Sequence, residues 1–201
     1  MSPKRRLVAI FAHPDDESFS CGATMAMYAA QGADVTLVTA TRGEVGEISD
    51  PKLATSETLG KIRERELRNA CKARGIPAPI FLGYRDSGMR GTKENRDVRS
   101  LAQARPSVLV EQLTAILLDL KPQVVITFDP YGGYGHPDHV AVHRAAVAAF
   151  GALEQKYPAS KLYYGAFPRS VAREFQRRAP PDSAFSKMDP EKLGIPDEPE
   201  A

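Results

Sequence analysis

Short apolar runs alternate along the chain with longer stretches in which apolar residues recur at helical spacing. Leu7-Val8-Ala9-Ile10-Phe11-Ala12 is continuously apolar, the pattern of a strand covered on both faces of a parallel sheet. Residues 21–31 are rich in Ala and Met and end at Gly32, which predicts a helix with a glycine just past its end. Residues 35–40 read as a second strand. Residues 56–74 read as a charged amphipathic helix closed by Gly75, and Ile80-Phe81-Leu82 as a short third strand. Residues 83–105 are polar and contain glycine, which suggests a long functional loop. Residues 108–120 predict a helix with Pro122 just beyond it. Residues 124–128 predict an apolar, β-branched strand, residues 140–156 an alanine-rich helix, and residues 162–167 a last strand.

Alternating strand and helix predicts an α/β domain with a mostly parallel sheet. Ligands of such sheets bind at the carboxyl ends of the strands. Four polar clusters fall directly after predicted strands: His13-Pro14-Asp15-Asp16-Glu17, Thr41-Arg42-Gly43-Glu44, Gly83-Tyr84-Arg85-Asp86 and His136-Pro137-Asp138-His139. They are expected to converge on one rim. No Gly-x-Gly-x-x-Gly follows the first strand and no Walker-type loop occurs, so dinucleotide and nucleotide phosphate binding lack their main requirement.

A length of 201 residues suits one ordinary domain with a sizeable core, expected over residues 1–178. Residues 179–201 are rich in Pro, Asp, Glu and Lys and poor in apolar residues, so they are expected to be a loop, disordered, or the start of a truncated segment. The net charge of +2 gives no electrostatic case for nucleic acid or a membrane surface, and Lys4-Arg5-Arg6 reads as a solvated flank. No run approaches the roughly 18 apolar residues of a membrane span. The first apolar run is too short for a signal peptide. Cys21 and Cys71 fall in predicted helices; a disulfide scaffold is not expected, and a cytoplasmic location fits. Cys21 reads as a small helix-face residue rather than a thiol ligand.

The chemistry concentrates in the histidines. All four, His13, His136, His139 and His143, lie in or just after two of the strand-end clusters, beside carboxylates. That grouping points to a metal site. His13 and Asp16 are three apart on a tight turn entering a helix, so both can face one ion. His136 or His139 can supply a third ligand, and three protein ligands with an open position is the catalytic arrangement for zinc. Asp15 is then placed to take a proton from water activated by the ion. The remaining histidine can bond a developing oxyanion or protonate a leaving amine. Capping of the following helix by Asp15 or Asp16 is the blander reading.

These residues resemble the PIG-L/LmbE-like superfamily of zinc-dependent N-acetylglucosaminide deacetylases. The resemblance covers roughly residues 7–170. It rests on Ala12-His13-Pro14-Asp15-Asp16-Glu17, Thr41-Arg42-Gly43-Glu44, Leu82-Gly83-Tyr84-Arg85-Asp86-Ser87-Gly88 and Gly133-Tyr134-Gly135-His136-Pro137-Asp138-His139. The last two look most like the branch acting in low-molecular-weight thiol synthesis. The resemblance implies a Rossmann-like three-layer sandwich with the metal site at the carboxyl ends of its strands. It implies His13, Asp16 and His139 as zinc ligands and Asp15 as general base. His136 would be the oxyanion stabiliser and acid, oriented by Asp138 and assisted by Tyr134. Arg42, Glu44 and Asp86 would contact the substrate. His143 reads as structural. The implied reaction removes acetyl from an N-acetylglucosaminyl conjugate through zinc-activated water, giving acetate and a free amino sugar. The substrate is a small molecule, and a homo-oligomer is compatible with the sequence.

Two other readings follow from the same residues. Two histidines and a carboxylate also suit Fe²⁺, as in non-haem iron oxygenases, although the spacing and the α/β pattern speak against that class. A non-catalytic metal- or sugar-binding module would need no base at Asp15. Arg42 and Arg85 would favour an anionic aglycone unless they pair with neighbouring carboxylates.

Overall fold

In the computed structural model, residues 4–48, 50–158 and 160–181 are described, together with Ser186, Asp189 and Asp197. Five parallel strands form one sheet in the order β3-β2-β1-β4-β5. They are β1 (Arg6–Phe11), β2 (Asp34–Thr39), β3 (Ile80–Phe81), β4 (Val124–Phe128) and β5 (Lys161–Gly165). Strand β1 pairs with β2 from Arg6↔Asp34 to Phe11↔Thr39, and with β4 from Leu7↔Val124 to Ala9↔Ile126. Leu7, Val8, Ala9, Ile10 and Phe11 are all buried, as a central strand covered on both faces requires.

The helices are α1 (Asp16–Ser20), α2 (Gly22–Ala30), α3 (Leu59–Ala73), α4 (Pro106–Leu120), the single turn α5 (Gly132–Gly135), α6 (Pro137–Lys156) and α7 (Arg169–Arg178). From β1 the chain winds through β2 to β3 in one direction. It then crosses back through α4 to β4 and runs on to β5 in the other. Right-handed crossovers put the two sets of helices on opposite faces. Helix α4 packs along α6, which lies against β4 and β1, while α2 lies against β2. Leu109, Leu113 and Leu117 of α4 and Val142, Ala146, Ala149 and Leu153 of α6 fill the core on their side. The winding reverses between β1 and β4, and the crevice beyond their carboxyl ends is where such folds bind ligands.

Several predicted boundaries shift for identifiable reasons. The predicted helix over residues 21–31 is preceded by a separate helix, α1, because Cys21 leaves helical geometry at φ −147°. Helix α6 begins three residues before its expected start because Pro137 takes the first helical position, where its missing N–H costs nothing. Helix α4 likewise starts at Pro106. The loop over residues 83–105 contains two short 3₁₀ turns, Lys93–Arg96 and Leu101–Gln103. Helix α7 is an addition to the predicted elements: Val171, Ala172 and Phe175 are its only apolar residues, and only Ala172 is buried. The expectation for the tail falls largely outside the described residues, although Asp197 accepts from the backbone N–H of Ser170 at 3.0 Å.

Candidate metal centre and cleft

Strand β1 delivers His13 and strand β4 leads to His136 and His139, so the reversal in winding brings the two histidine clusters face to face. His13 Nδ1 lies 3.1 Å from His139 Nε2. The Asp16 carboxylate completes the group, 3.5 Å from His13 Nδ1 and 3.4 Å from His139 Nε2. In a tetrahedral zinc site with bonds of about 2.0–2.1 Å, ligand atoms stand about 3.3–3.4 Å apart. The separations here, 3.1 Å between the nitrogens, 3.5 Å from His13 to Asp16 Oδ2 and 3.4 Å from His139 to Asp16 Oδ1, are of that order, with the two carboxylate oxygens each facing one ring.

The outer nitrogens of both rings fix which atoms face inward. His139 Nδ1 lies 3.0 Å from the carbonyl oxygen of Gly132, which can only accept, so Nδ1 carries the proton. His13 Nε2 lies 3.2 Å from Asp138 Oδ2 and 3.5 Å from Asp86 Oδ1, so it too is the donor. His13 Nδ1 and His139 Nε2 therefore both face one point beside a carboxylate. Backing of a ligating imidazole by a carbonyl or carboxylate is the usual support of a metal ligand. Among the described residues, two sets of three donors lie within 4.8 Å of one another, His13 with His136 and His139, and His13 with Asp86 and Asp138. The Asp16 carboxylate stands beside the inner nitrogens of His13 and His139, whereas Asp86 and Asp138 face the outer nitrogen of His13.

The carboxylates around this group hold positive charge at His13 as a proton, which a bound cation would replace. Burial alone would lower the pKa of His13, but its bonds to Asp138, Asp16 and Asp86 outweigh that and raise it well above the ordinary value. Burial raises the Asp16 pKa, yet His139 and His13 more than compensate and keep it an anion. Burial lowers the pKa of His139 against the pull of Asp16.

A cleft of about 640 Å³ opens over this group. His13, Asp15, Asp16, Asp86, Tyr134 and His136 line its inner part, and Ile48, Leu53, Ile62 and Met89 its walls. Asp15 stands at φ 111°. Such a conformation in a residue with a Cβ costs of order 1–3 kcal/mol and concentrates at functional sites. Arg63 of α3 holds the side chain in place. Its Nη2 donates to Asp15 Oδ2 at 2.8 Å and to the carbonyl of Pro14, and its Nη1 donates to the carbonyl of Gly43 at 3.0 Å. A Cβ on Gly43 would fall 2.0 Å from that nitrogen, so the arginine needs a glycine there. The Asp15 side chain is 54% exposed and lines the cleft. Burial by the surrounding protein pushes its carboxyl up to about 6, with Arg63 opposing and Asp16 adding.

His136 is the other polar group with a defined orientation. Its Nδ1 accepts the backbone N–H of Asp138 at 3.2 Å, so in the neutral ring the proton is on Nε2. Burial, then His13 and His139, push its pKa down to about 4, which makes it a neutral donor at pH 7. Tyr134 packs edge-on against His139 with ring centroids 5.0 Å apart. Burial and Asp16 push its hydroxyl up to about 12.

Not every residue singled out in the sequence reaches the cleft. Arg42 and Glu44 are not among its lining residues. Arg42 pairs with Glu64, and Glu44 Oε2 accepts the backbone N–H of Asp86 at 3.0 Å. Arg85 pairs with Asp97 at 3.3 Å. The two arginines offered for an anionic aglycone thus have carboxylate partners, though these are Glu64 and Asp97 rather than Glu44 and Asp86. The Asp138 carboxylate touches His13 and the Ser87 backbone N–H, while only its own backbone N–H meets His136. His143 Nδ1 lies 2.8 Å from the carbonyl of Phe128, and the residue stands outside the metal group. Arg63 carried no signal in the sequence: its place follows from where α3 crosses the turn after β1.

Residues 8–150 match the family model described as PIG-L, GlcNAc-PI de-N-acetylase. The chain is similar to the 1D-myo-inositol 2-acetamido-2-deoxy-alpha-D-glucopyranoside deacetylase of Acidothermus cellulolyticus, with 49% identity over 179 residues covering 85% of this chain and 61% of that protein. It is 44% identical to the protein of the same description from Thermobifida fusca, over 89% of this chain and 68% of that one. Among solved structures it resembles the N,N'-diacetylchitobiose deacetylase from Pyrococcus horikoshii, with a TM-score of 0.59 and 26% identity over 74% of this chain and 50% of the other. The chain therefore spans about three fifths of the length of the Acidothermus relative.

Proposed function

The chain belongs to the PIG-L family, and on that premise we propose that it removes the acetyl group from an N-acetylglucosaminyl conjugate, giving acetate and a free amino sugar. The observation that carries this reading is that His13 Nδ1, His139 Nε2 and the Asp16 carboxylate stand within 3.5 Å of one another beside a cleft lined by His13, Asp15 and Asp16. In this reading His13, Asp16 and His139 hold one divalent ion. Zinc suits two imidazoles and a carboxylate with an open position, and Fe²⁺ accepts the same donors. When bound, the ion would polarise the acetamide carbonyl and lower the pKa of water.

The chain's own residues supply the rest. The Asp15 carboxylate, held against the cleft by Arg63, takes a proton from the attacking water. His136 Nε2–H donates to the carbonyl oxygen as it gains negative charge, and the protonated Tyr134 hydroxyl is a second donor. The low pKa of His136 suits hydrogen bonding better than acid catalysis. Asp15, once protonated, is the better source of the proton for the departing nitrogen. Asp138 acts through His13, whose donor nitrogen it fixes. Asp86 meets substrate hydroxyls at the cleft wall, while Arg42 and Glu44 shape the loop behind it.

An inositol aglycone is the first candidate, since the two similar deacetylases are described as acting on such a conjugate. The pairing of Arg42 and Arg85 removes the reason to favour an anionic one. Among the described residues no helix is long and apolar enough to cross a membrane. We assign residues 1–178 to one domain, on the support of one sheet and one apolar core among the described residues, and keep the cytoplasm as the proposed location on the sequence reading alone. An amine-release assay on inositol, malate and oligosaccharide conjugates of N-acetylglucosamine tests the proposal. Amine is expected from at least one of them, the inositol conjugate first. Metal bound with no amine from any would favour a binding module.

A further inference from the structure

The strained backbone of Asp15 is held separately from its side chain. Its carbonyl accepts the N–H of Ser18 at 2.8 Å and of Phe19 at 3.3 Å, and its own N–H donates to Glu17 Oε2 at 3.1 Å. Glu17 closes the first histidine cluster, is 1% exposed, and lies outside the lining of the main cleft. Its second oxygen, Oε1, accepts from Arg74 Nη1 at 2.9 Å and from the Ser18 hydroxyl at 2.7 Å. Arg74 Nη2 donates in turn to that hydroxyl at 2.6 Å. A carboxylate this deeply buried is costly unless fully paired, and here both oxygens are used.

Arg74 caps the end of α3, and Arg63 sits in its first half. Eleven residues separate them, close to three turns of helix, so both project from one side of the same rod. Arg63 grips the Asp15 carboxylate, while Arg74 grips the Asp15 amide through Glu17. Position and torsion of the residue are thereby fixed from a single rigid element.

We propose that Glu17, anchored by Arg74, is a positioning residue for deacetylation: it holds the Asp15 backbone at positive φ and so aims the carboxylate into the cleft. The proposal rests on the reading of Asp15 as the base. Small misplacements of a reacting group, near 1 Å, cost about 100-fold in rate.

The test compares Glu17→Ala, Glu17→Gln and Arg74→Gln with the wild type in metal-loaded form. Glutamine at position 17 keeps an oxygen for the Asp15 amide, whereas alanine removes it. In Glu17→Ala, kcat is expected to fall about 10- to 100-fold. KM and metal content should stay at wild-type levels, and the crystal structure should show Asp15 away from φ 111°. Glu17→Gln keeps the acceptor for Asp15 but turns its NH2 toward Arg74, so Glu17→Gln and Arg74→Gln should both fall between Glu17→Ala and the wild type. Unchanged kcat in Glu17→Ala, a loss confined to KM or to metal content, or a lost kcat with Asp15 still at positive φ would overturn the proposal. If Glu17→Ala does not fold, wild-type kcat in a folded Arg74→Gln overturns it equally. A wild type that releases no acetate defeats the deacetylase reading instead, and the Asp15 torsion in the variants still decides the positioning.

Discussion

The inner nitrogens of His13 and His139 stand 3.1 Å apart, and the outer nitrogen of each is committed as a donor, to Asp138 and to the Gly132 carbonyl. In the proposed reading these two nitrogens and the Asp16 carboxylate would hold one cation, and the rest of the site is arranged around that point.

Removing that cation should loosen the fold. A ligand at 100 times its Kd adds about 2.7 kcal/mol of stability, and each kcal/mol is worth roughly 2–4 °C in Tm for a chain of this size. Zinc added to chelated protein is therefore expected to raise Tm by about 5–10 °C. Thermal scans of the chelated and reloaded protein measure this. The same rise in a His139→Ala variant would place the ion elsewhere.

Gly132 tests the support of the site without touching a ligand. It stands at φ 70°, and a Cβ there would lie 2.6 Å from the Cβ of His139. Gly132→Ala should displace the His139 ring and its bond to the Gly132 carbonyl. A loss of about 10- to 100-fold in metal affinity is expected, the range seen when the partner behind a metal ligand is lost. A competition titration with a chromophoric chelator reads it.

Asp15 sets the acid limb of the pH profile. A general base works deprotonated, so activity should be low at acid pH and rise as the carboxyl ionises. Burial places that ionisation at about 6, and a cation beside Asp15 draws it lower. The acid limb of kcat/KM is thus expected at pH 6 or below. In Asp15→Asn the residual rate should be small and the limb should vanish. Retention of the same limb in that variant would assign it to another group.

His136 is assigned to the oxyanion. Its loss in His136→Ala should cost about 100- to 1000-fold in kcat, with KM little changed. Steady-state kinetics separate this from a binding role, which would raise KM and leave kcat. Because the ring is neutral far below pH 7, its removal should not shift the acid limb.

How far this site could be read from the sequence depends on the range of each signal. Leu7 to Ala12 and residues 124–128 predict buried parallel strands from composition alone, and the histidine clusters behind them follow from adjacency. The reversal of winding between β1 and β4 then makes those clusters neighbours. Arg63 and Arg74 carry no such signal: charged residues on an amphipathic helix look solvated until the tertiary packing sets α3 across the Asp15 turn. The contacts of Asp138 were equally hidden. The family resemblance implies that Asp138 orients His136, yet the first turn of α6 points the carboxylate at His13. Helix α7 offers only Val171, Ala172 and Phe175 as apolar residues among ten, too few to mark a core-facing helix.

The central claim is that one ion on His13, Asp16 and His139 is coupled to acetate release. The direct measurement is a titration of chelated protein with zinc, following bound metal and acetate formed from the N-acetylglucosaminyl inositol conjugate together. The account predicts that acetate release rises in proportion to occupancy, saturates at one ion per chain, and is absent with Asp16→Ala or His139→Ala. Stoichiometric zinc binding that leaves acetate release at the uncatalysed rate, or full activity in the chelated protein, would contradict it.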